Sequence, residues 1–117
     1  MRVWDVSPRV LCRAHLLGEH REIHAVYAVI ARGNEGYSRH PETRRWVGKL
    51  PALAVRHARV ADEMRSRGYR HASPMRVRRG SVRQRTLLLS RAGQLARLEA
   101  KSCPCPLPAK RNGTQGC

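Results

Sequence analysis

The spacing of apolar residues in the first third of the chain constrains its fold most. Intervals of seven, four and three residues separate the members of one apolar stripe, which are Leu16, Ile23, Tyr27 and Ile30. Such intervals place side chains on one face of an α-helix. Ser7 and Pro8 precede the stripe as a helix N-cap and a first helical residue, and Gly33 follows it. The pattern predicts a long helix from about residue 9 to 31.

Two later segments show the same helical spacing. Residues 49–67 carry an apolar set and end in Arg67-Gly68, which is typical of a helix C-terminus. A third helix is predicted over roughly 86–101, and no segment alternates convincingly as a strand would. We expect loops over 33–46 and an exposed basic segment over 70–85. The sequence therefore predicts an all-α fold, a compact single domain of three main helices with long loops over residues 1–107, followed by a disordered tail over 108–117.

Composition limits the partners of such a domain. The 24 Lys and Arg residues outnumber the 8 Asp and Glu residues, which gives a formal net charge of +16 and favours a polyanionic partner. Apolar runs such as residues 25–31 are shorter than the about 20 residues that a membrane helix needs. The first eight residues contain no apolar run typical of a secretory signal, so we expect a cytoplasmic protein with reduced cysteines.

Three side chains on the first predicted helix could carry chemistry. His15, Glu19 and Glu22 are spaced by four and three residues and therefore share one face. They could form a solvated face whose carboxylates pair with surrounding arginines. They could also place a carboxylate on a surface that binds DNA phosphates, which is costly unless the carboxylate has a function. The second interpretation makes Glu22 a catalytic candidate.

Metal ligands are present, but their spacing is incomplete. His20 and His24 lie one turn apart, in a different direction from His15 and Glu19, and no third ligand is suitably spaced. Cys103 and Cys105 are too close together for a zinc ribbon. Whether Cys12 meets Cys103 or Cys105 in space is left open by the sequence. We therefore expect no metal and no cofactor. A metal-dependent nuclease that uses His15, Glu19, His20 and His24 remains the alternative that chelator sensitivity would reveal.

Two blocks of the sequence resemble the pyrimidine-dimer DNA glycosylase family. The first block starts at Met1 and includes His15-Leu16-Leu17-Gly18-Glu19-His20-Arg21-Glu22-Ile23, which is similar to a motif on the first helix of that family. The second block runs from Lys49-Leu50 to Arg67-Gly68-Tyr69. Residues 36–43 and 100–105 resemble features of the bacterial branch. The resemblance covers residues 1–75 closely and 86–107 loosely.

The resemblance implies an all-α repair glycosylase with abasic-site lyase activity on damaged double-stranded DNA. In that family the α-amine of the first residue attacks the sugar C1′, expels the base through an imine and nicks the strand by β-elimination. The resemblance assigns this amine to Met1, which we expect to be retained because Arg2 is not small. It assigns the essential glutamate to Glu22, and DNA contacts to Arg2, His15 and Arg21. We expect a monomer. The alternative is a non-catalytic basic DNA-binding protein on the same scaffold.

Two departures from the family pattern concern lesion preference. Ala25 stands where the phage enzyme has an arginine three residues after the essential glutamate. A Cys/Pro segment replaces the aromatic C-terminal tail of the phage enzyme. Among the aromatic residues, Trp4 is expected in the core, whereas Trp46 could either pack in the core or stack on an opened base step.

Overall fold

Helices form the regular secondary structure of the chain. A computed structural model describes residues 2–33, 39–71, 75, 80, 82–101 and 105. Within these residues there are four α-helices, one short 3-10 helix (Pro8–Val10) and no strand. The α-helices are α1 (Arg13–Arg32), α2 (Pro41–Arg44), α3 (Leu50–Ser66) and α4 (Arg91–Ala100). The predicted all-α class with three main helices is confirmed. The predicted tail over 108–117 lies outside the described residues.

The first long helix begins at Arg13, so the predicted start near residue 9 is wrong. Ser7 does act as an N-cap, since its side chain accepts a hydrogen bond from the Arg9 N–H, but it caps only the 3-10 helix. The backbone then extends at Leu11, with φ −91° and ψ 136°, and Leu11 is fully buried. Burial of this side chain outweighs the local preference for a continuous helix. The helix ends at Gly33, whose φ of 69° is the left-handed conformation that glycine tolerates best.

The core lies between α1 and α3, which pack against each other. The buried apolar residues at this contact are aliphatic apart from one methionine, and they include Leu16, Ile23 and Val26 of α1 and Leu53, Val60 and Met64 of α3. Leu98 of α4 joins the same cluster. Full burial of each large aliphatic side chain stabilises the fold by about 1.5–3 kcal/mol. The apolar stripe read from the sequence is therefore the packing face of α1.

Side-chain N-caps determine where the two shorter helices begin. Helix α2 interrupts the predicted loop over 33–46, with Pro41 in its first turn and the His40 side chain accepting a hydrogen bond from the Glu42 N–H. Helix α4 begins at Arg91 instead of near residue 86, because the Ser90 side chain caps it by accepting from the Gly93 N–H. Leu88, which the predicted helix included, is half exposed.

The described arginines of the predicted basic segment over 70–85 are exposed, whereas Met75 packs against the core and His71 and Gln84 are half-buried. Arg70, Arg83 and Arg85 face solvent, while Arg76, Arg78 and Arg79 lie outside the described residues. Among the described helices, none is both long and apolar enough to span a bilayer.

Candidate active site

The first residues of the chain form an extended segment that three helices hold in place. Three consecutive backbone N–H groups donate hydrogen bonds to side chains of α2, α1 and α4 in turn. The bonds join Val3 to Glu42 Oε1 (2.8 Å), Trp4 to Glu19 Oε1 (3.1 Å) and Asp5 to Gln94 Oε1 (2.7 Å). All three acceptor side chains are buried. Buried hydrogen bonds of this kind are costly to break, so the segment is fixed relative to all three helices.

Two buried arginines complete this anchor. Arg56 pairs with Glu19 and donates to the Val6 carbonyl at 2.7 Å. Arg45 pairs with Glu42 and donates to the Val3 carbonyl at 2.8 Å. We call the four charged residues Glu19, Glu42, Arg45 and Arg56 the carboxylate clamp. Burial raises the pKa of Glu19, and the Arg56 guanidinium acts in the opposite direction. The clamp holds both N–H and C=O groups of the extended segment.

Glu22 differs sharply from Glu19, although both were expected on one face. Glu22 lies three residues further along α1, about 4.5 Å along the helix axis from Glu19, and its side chain is half-buried. No described residue pairs with its carboxylate by a salt bridge or a hydrogen bond. The extended segment contacts α1 at Glu19. Glu22 therefore lies about one helical turn from that contact, and no described residue neutralises its carboxylate.

The two arginines assigned to DNA contacts have different surroundings. Arg21 is exposed on α1. Arg2 is half-buried, and its guanidinium carbon lies 5.2 Å from the centroid of the Trp4 ring. Such a cation–π contact orients the arginine without neutralising its charge. Both guanidinium groups therefore keep a charge that a phosphate could use. Met1, the residue assigned as nucleophile, lies outside the described residues.

His15 meets two thiols. Its Nδ1 atom lies 3.3 Å from Cys12 Sγ and 3.2 Å from Cys105 Sγ, and its ring meets the Trp4 ring edge to face. Cys12 therefore approaches Cys105, the pairing that the sequence had left open, whereas Cys103 lies outside the described residues. Burial and the positive charge of Lys101 lower the pKa of His15. A neutral imidazole contributes hydrogen bonds, and not charge, to any DNA contact.

The structure brings together a second group of side chains that the sequence did not reveal. His20 and His24 of α1 meet His57 of α3 and His71, which follows α3. We call these four residues the histidine cluster. The prediction that no third ligand is suitably spaced holds only along α1, because the additional imidazoles come from other parts of the chain. His57 lies between Leu53 and Val60 on the buried stripe of α3, and this position is the sequence signal that could have indicated it.

The ligand set of the alternative metal-dependent nuclease is not assembled. Glu19 is committed to Arg56, and His15 lies beside the thiols of Cys12 and Cys105. Only His20 and His24 of that set share one site. The four residues therefore do not form a common metal centre.

Both tryptophans belong to the core. Trp4 is 6% exposed and Trp46 is 2% exposed. The Trp46 Nε1–H donates to Glu42 Oε2 at 3.2 Å, and the Arg45 guanidinium lies over its ring. This packing confirms the prediction for Trp4 and decides the alternatives for Trp46 in favour of the core.

A cleft of about 410 Å³ opens between α3 and residues 80 and 82–84. Four arginines and one carboxylate are among its lining residues, and they are Arg56, Arg59, Arg83, Arg91 and Asp5. Because Glu19 neutralises Arg56, the excess of positive charge comes from Arg59, Arg83 and Arg91, and it suits an anionic group.

Comparison with known proteins gives one match. The family model described as pyrimidine dimer DNA glycosylase matches residues 1–77. This range contains the extended segment, α1, α2, α3 and the whole histidine cluster. Neither a curated protein nor a solved structure matches the chain.

Proposed function

The chain belongs to the pyrimidine dimer DNA glycosylase family, and from this premise we propose that it excises damaged pyrimidines with an N-terminal amine and then cleaves the DNA strand. The observation that carries the proposal is the anchoring of Val3, Trp4 and Asp5 by side chains of three helices. An amine at the start of a chain can act as a nucleophile only if the chain behind it is held still. The clamp holds the backbone still from Val3 onward, two residues after Met1.

Met1 provides the nucleophile in this mechanism. An α-amine has a reference pKa of about 7.7–8.0, so a useful neutral fraction exists at physiological pH, whereas free lysine is almost fully protonated. The amine nitrogen attacks C1′ of the damaged nucleotide, and the base leaves with the electrons of the glycosidic bond. Loss of a proton from the nitrogen and opening of the sugar ring give the imine. Removal of a C2′ proton then expels the 3′ phosphate by β-elimination.

Glu22 is the acid–base group in this proposal. Its carboxylate is half-buried and has no described partner, so its negative charge can stabilise the cationic sugar and imine and accept the C2′ proton. Glu19 could not do this, because Arg56 neutralises it and the Trp4 N–H occupies one of its oxygens.

Double-stranded damaged DNA is the proposed partner, bound by a monomer without a cofactor. Arg2 and Arg21 would contact phosphates on either side of the lesion, and His15 would face the DNA as a neutral hydrogen-bonding group. The net charge of +16 supports this assignment, since each neutralised phosphate releases counterions. Phosphate contacts fix position on the duplex and leave the choice of lesion to other groups.

Borohydride trapping of the untagged protein tests the proposal. One duplex carries a cyclobutane pyrimidine dimer and a second carries an abasic site, and the cross-linked peptide is mapped by mass spectrometry. We expect an adduct on the Met1 amine with both duplexes. An adduct with the abasic duplex alone would contradict the dimer activity and leave a lyase. Binding without any adduct would favour the non-catalytic DNA-binding protein.

A blocked amine provides the matched control. Acetylation of the N-terminus removes the nucleophile but leaves Glu22 and the phosphate-binding arginines unchanged. The blocked protein should bind the same duplexes with nearly the same affinity and should form no adduct. An adduct formed by the blocked protein would place the nucleophile on a lysine and overturn the role of Met1.

A further inference from the structure

The histidine cluster brings four imidazoles to one point from three parts of the chain. The Nε2 atom of His20 lies 3.2 Å from that of His24 and 3.0 Å from that of His71. The Nε2 atom of His71 lies a further 3.3 Å from that of His57. Ligand nitrogens of His20, His24 and His57 all lie within 4.8 Å of one another. Four of the six histidines in the chain therefore share one small site.

Hydrogen bonding among the rings does not account for this geometry. A neutral imidazole Nε2 either carries one proton or offers one lone pair. The Nε2 atoms of His20 and His71 each face two other Nε2 atoms. One proton or one lone pair cannot make two well-directed bonds at once, so the hydrogen bonds at His20 and His71 would each be shared between two neighbours and poorly directed. A cation at the centre would instead accept a lone pair from every ring.

Three of the six nitrogen–nitrogen edges of a metal tetrahedron are present among the four rings. Zinc–imidazole bonds are about 2.0–2.1 Å long, so the edge between two ligand nitrogens of a regular tetrahedron is about 3.3–3.4 Å. The three Nε2–Nε2 distances lie close to this length. Burial and the neighbouring rings lower the pKa of His20 to about 4, and burial also lowers the pKa of His71. Low values favour the neutral form of His20 and His71, which is the form that binds a metal.

We propose that His20, His24, His57 and His71 bind one divalent transition-metal ion, with Zn²⁺ as the first candidate. Imidazole ligands suit zinc, copper and nickel, whereas calcium and magnesium prefer oxygen ligands. A site filled by four protein ligands is closed and therefore structural. The ion joins α1 to α3 and fixes the chain that follows α3. This role concerns the fold and does not depend on the proposed DNA chemistry.

Metal content measured directly tests the proposal. The purified full-length protein is stripped with a chelator, dialysed against Zn²⁺ and analysed for bound metal. The wild-type protein is compared with His71→Gln, which changes the ligand outside the helices, and with a double variant, His20→Gln with His24→Gln. His40→Asn is the matched control, because it removes an imidazole outside the cluster while asparagine can still cap α2.

The expected result is the loss of one metal equivalent from both cluster variants and none from the control. Zn²⁺ at a hundredfold excess over its dissociation constant should raise the unfolding midpoint of stripped wild type by on the order of 10 °C, and should raise that of His71→Gln much less. The shift in wild type needs no variant, so a variant that fails to fold does not decide the outcome. Equal metal content in wild type and His71→Gln would overturn the proposal.

Cobalt distinguishes this site from the thiols of Cys12 and Cys105, which with His15 form the other possible ligand group among the described residues. Co²⁺ held by four imidazoles should show tetrahedral d–d bands without a thiolate charge-transfer band. A charge-transfer band that survives in the histidine variants and disappears in Cys12→Ser would place the ion at the thiols and overturn the proposal. Absence of any bound metal in wild type would overturn it as well.

Discussion

The carboxylate clamp is buried, whereas the histidine cluster is only half-buried apart from His57, and the two polar groups are built in opposite ways. The clamp pairs two carboxylates with two guanidinium groups, and both pairs also hold the extended segment by hydrogen bonds. The cluster brings together four groups of one kind. The difference teaches that buried groups of opposite charge compensate each other, so that removing one partner is costly, whereas converging groups of one kind have no such internal partner.

A smaller comparison lies within α1. Glu19 and Glu22 have the same side chain and almost the same sequence surroundings. Glu19 is 2% exposed and belongs to the clamp, whereas Glu22 is half-buried and has no described partner. We therefore expect changes at Glu19 to affect folding and changes at Glu22 to affect chemistry.

Breaking the clamp should have the largest effect on stability. Arg56→Met leaves the Glu19 carboxylate buried without its partner, which should lower the free energy of unfolding by about 3–5 kcal/mol. Urea denaturation followed by circular dichroism measures the change. Arg59→Met on the exposed side of α3 is the matched control and should change stability by less than about 0.5 kcal/mol. Equal effects of the two variants would contradict a structural role for the clamp.

Removing the charge of Glu22 should greatly reduce the rate of strand cleavage. It should hardly change the free energy of unfolding. Glu22→Gln keeps the shape of the side chain, and we expect strand cleavage to fall by at least about a hundredfold, because acid–base groups typically contribute 10²–10⁴. Single-turnover cleavage of an abasic duplex measures the rate. Glu99→Gln on the exposed face of α4 is the control. Unchanged cleavage by Glu22→Gln would remove this residue from the mechanism.

Filling the histidine cluster should stabilise the fold by an intermediate amount. At a hundredfold excess over its dissociation constant, Zn²⁺ should add about 2.7 kcal/mol to the free energy of unfolding of stripped protein. Chemical denaturation with and without Zn²⁺ measures this increment. Arg56→Met should retain it, because the clamp and the cluster are separate sites. If Zn²⁺ no longer stabilised Arg56→Met, the clamp and the cluster would be energetically coupled.

The smallest effect is expected at the exposed surface. Arg21→Ala should weaken DNA binding and reduce the slope of log affinity against log salt concentration by about one unit, because one phosphate contact is lost. Fluorescence anisotropy at several salt concentrations gives the slope. Lys101→Ala removes another exposed cation and provides the comparison. An unchanged slope for Arg21→Ala would exclude a phosphate contact at this residue.

The sequence predicted features that depend on local spacing. The helices that became α1 and α3 were recognised from their apolar stripes, since helical period and capping signals lie within one segment. The start of α1 was missed because burial of Leu11, a tertiary effect, extends the backbone there. Helix α2 was missed because four residues are too few to show a period.

The candidate site was predictable only in part for the same reason. Spacing placed Glu19 and Glu22 on one face, but the partner that separates their roles, Arg56, lies 37 residues from Glu19 in the chain. Likewise, His20 and His71 are separated by 51 residues. Contacts over such distances depend on how α1 and α3 pack, and a single sequence does not encode that packing in any local pattern.

The anchor of the extended segment has a consequence for how the protein is made. Its three acceptors are met in chain order as Glu19, Glu42 and Gln94. Ribosomes add about 5–20 residues per second, so the first residues leave the ribosome several seconds before Gln94 is available. The extended segment is therefore synthesised first and fully anchored late. Its last hydrogen bond, from the Asp5 N–H to Gln94, forms only after α4 has been synthesised and has docked.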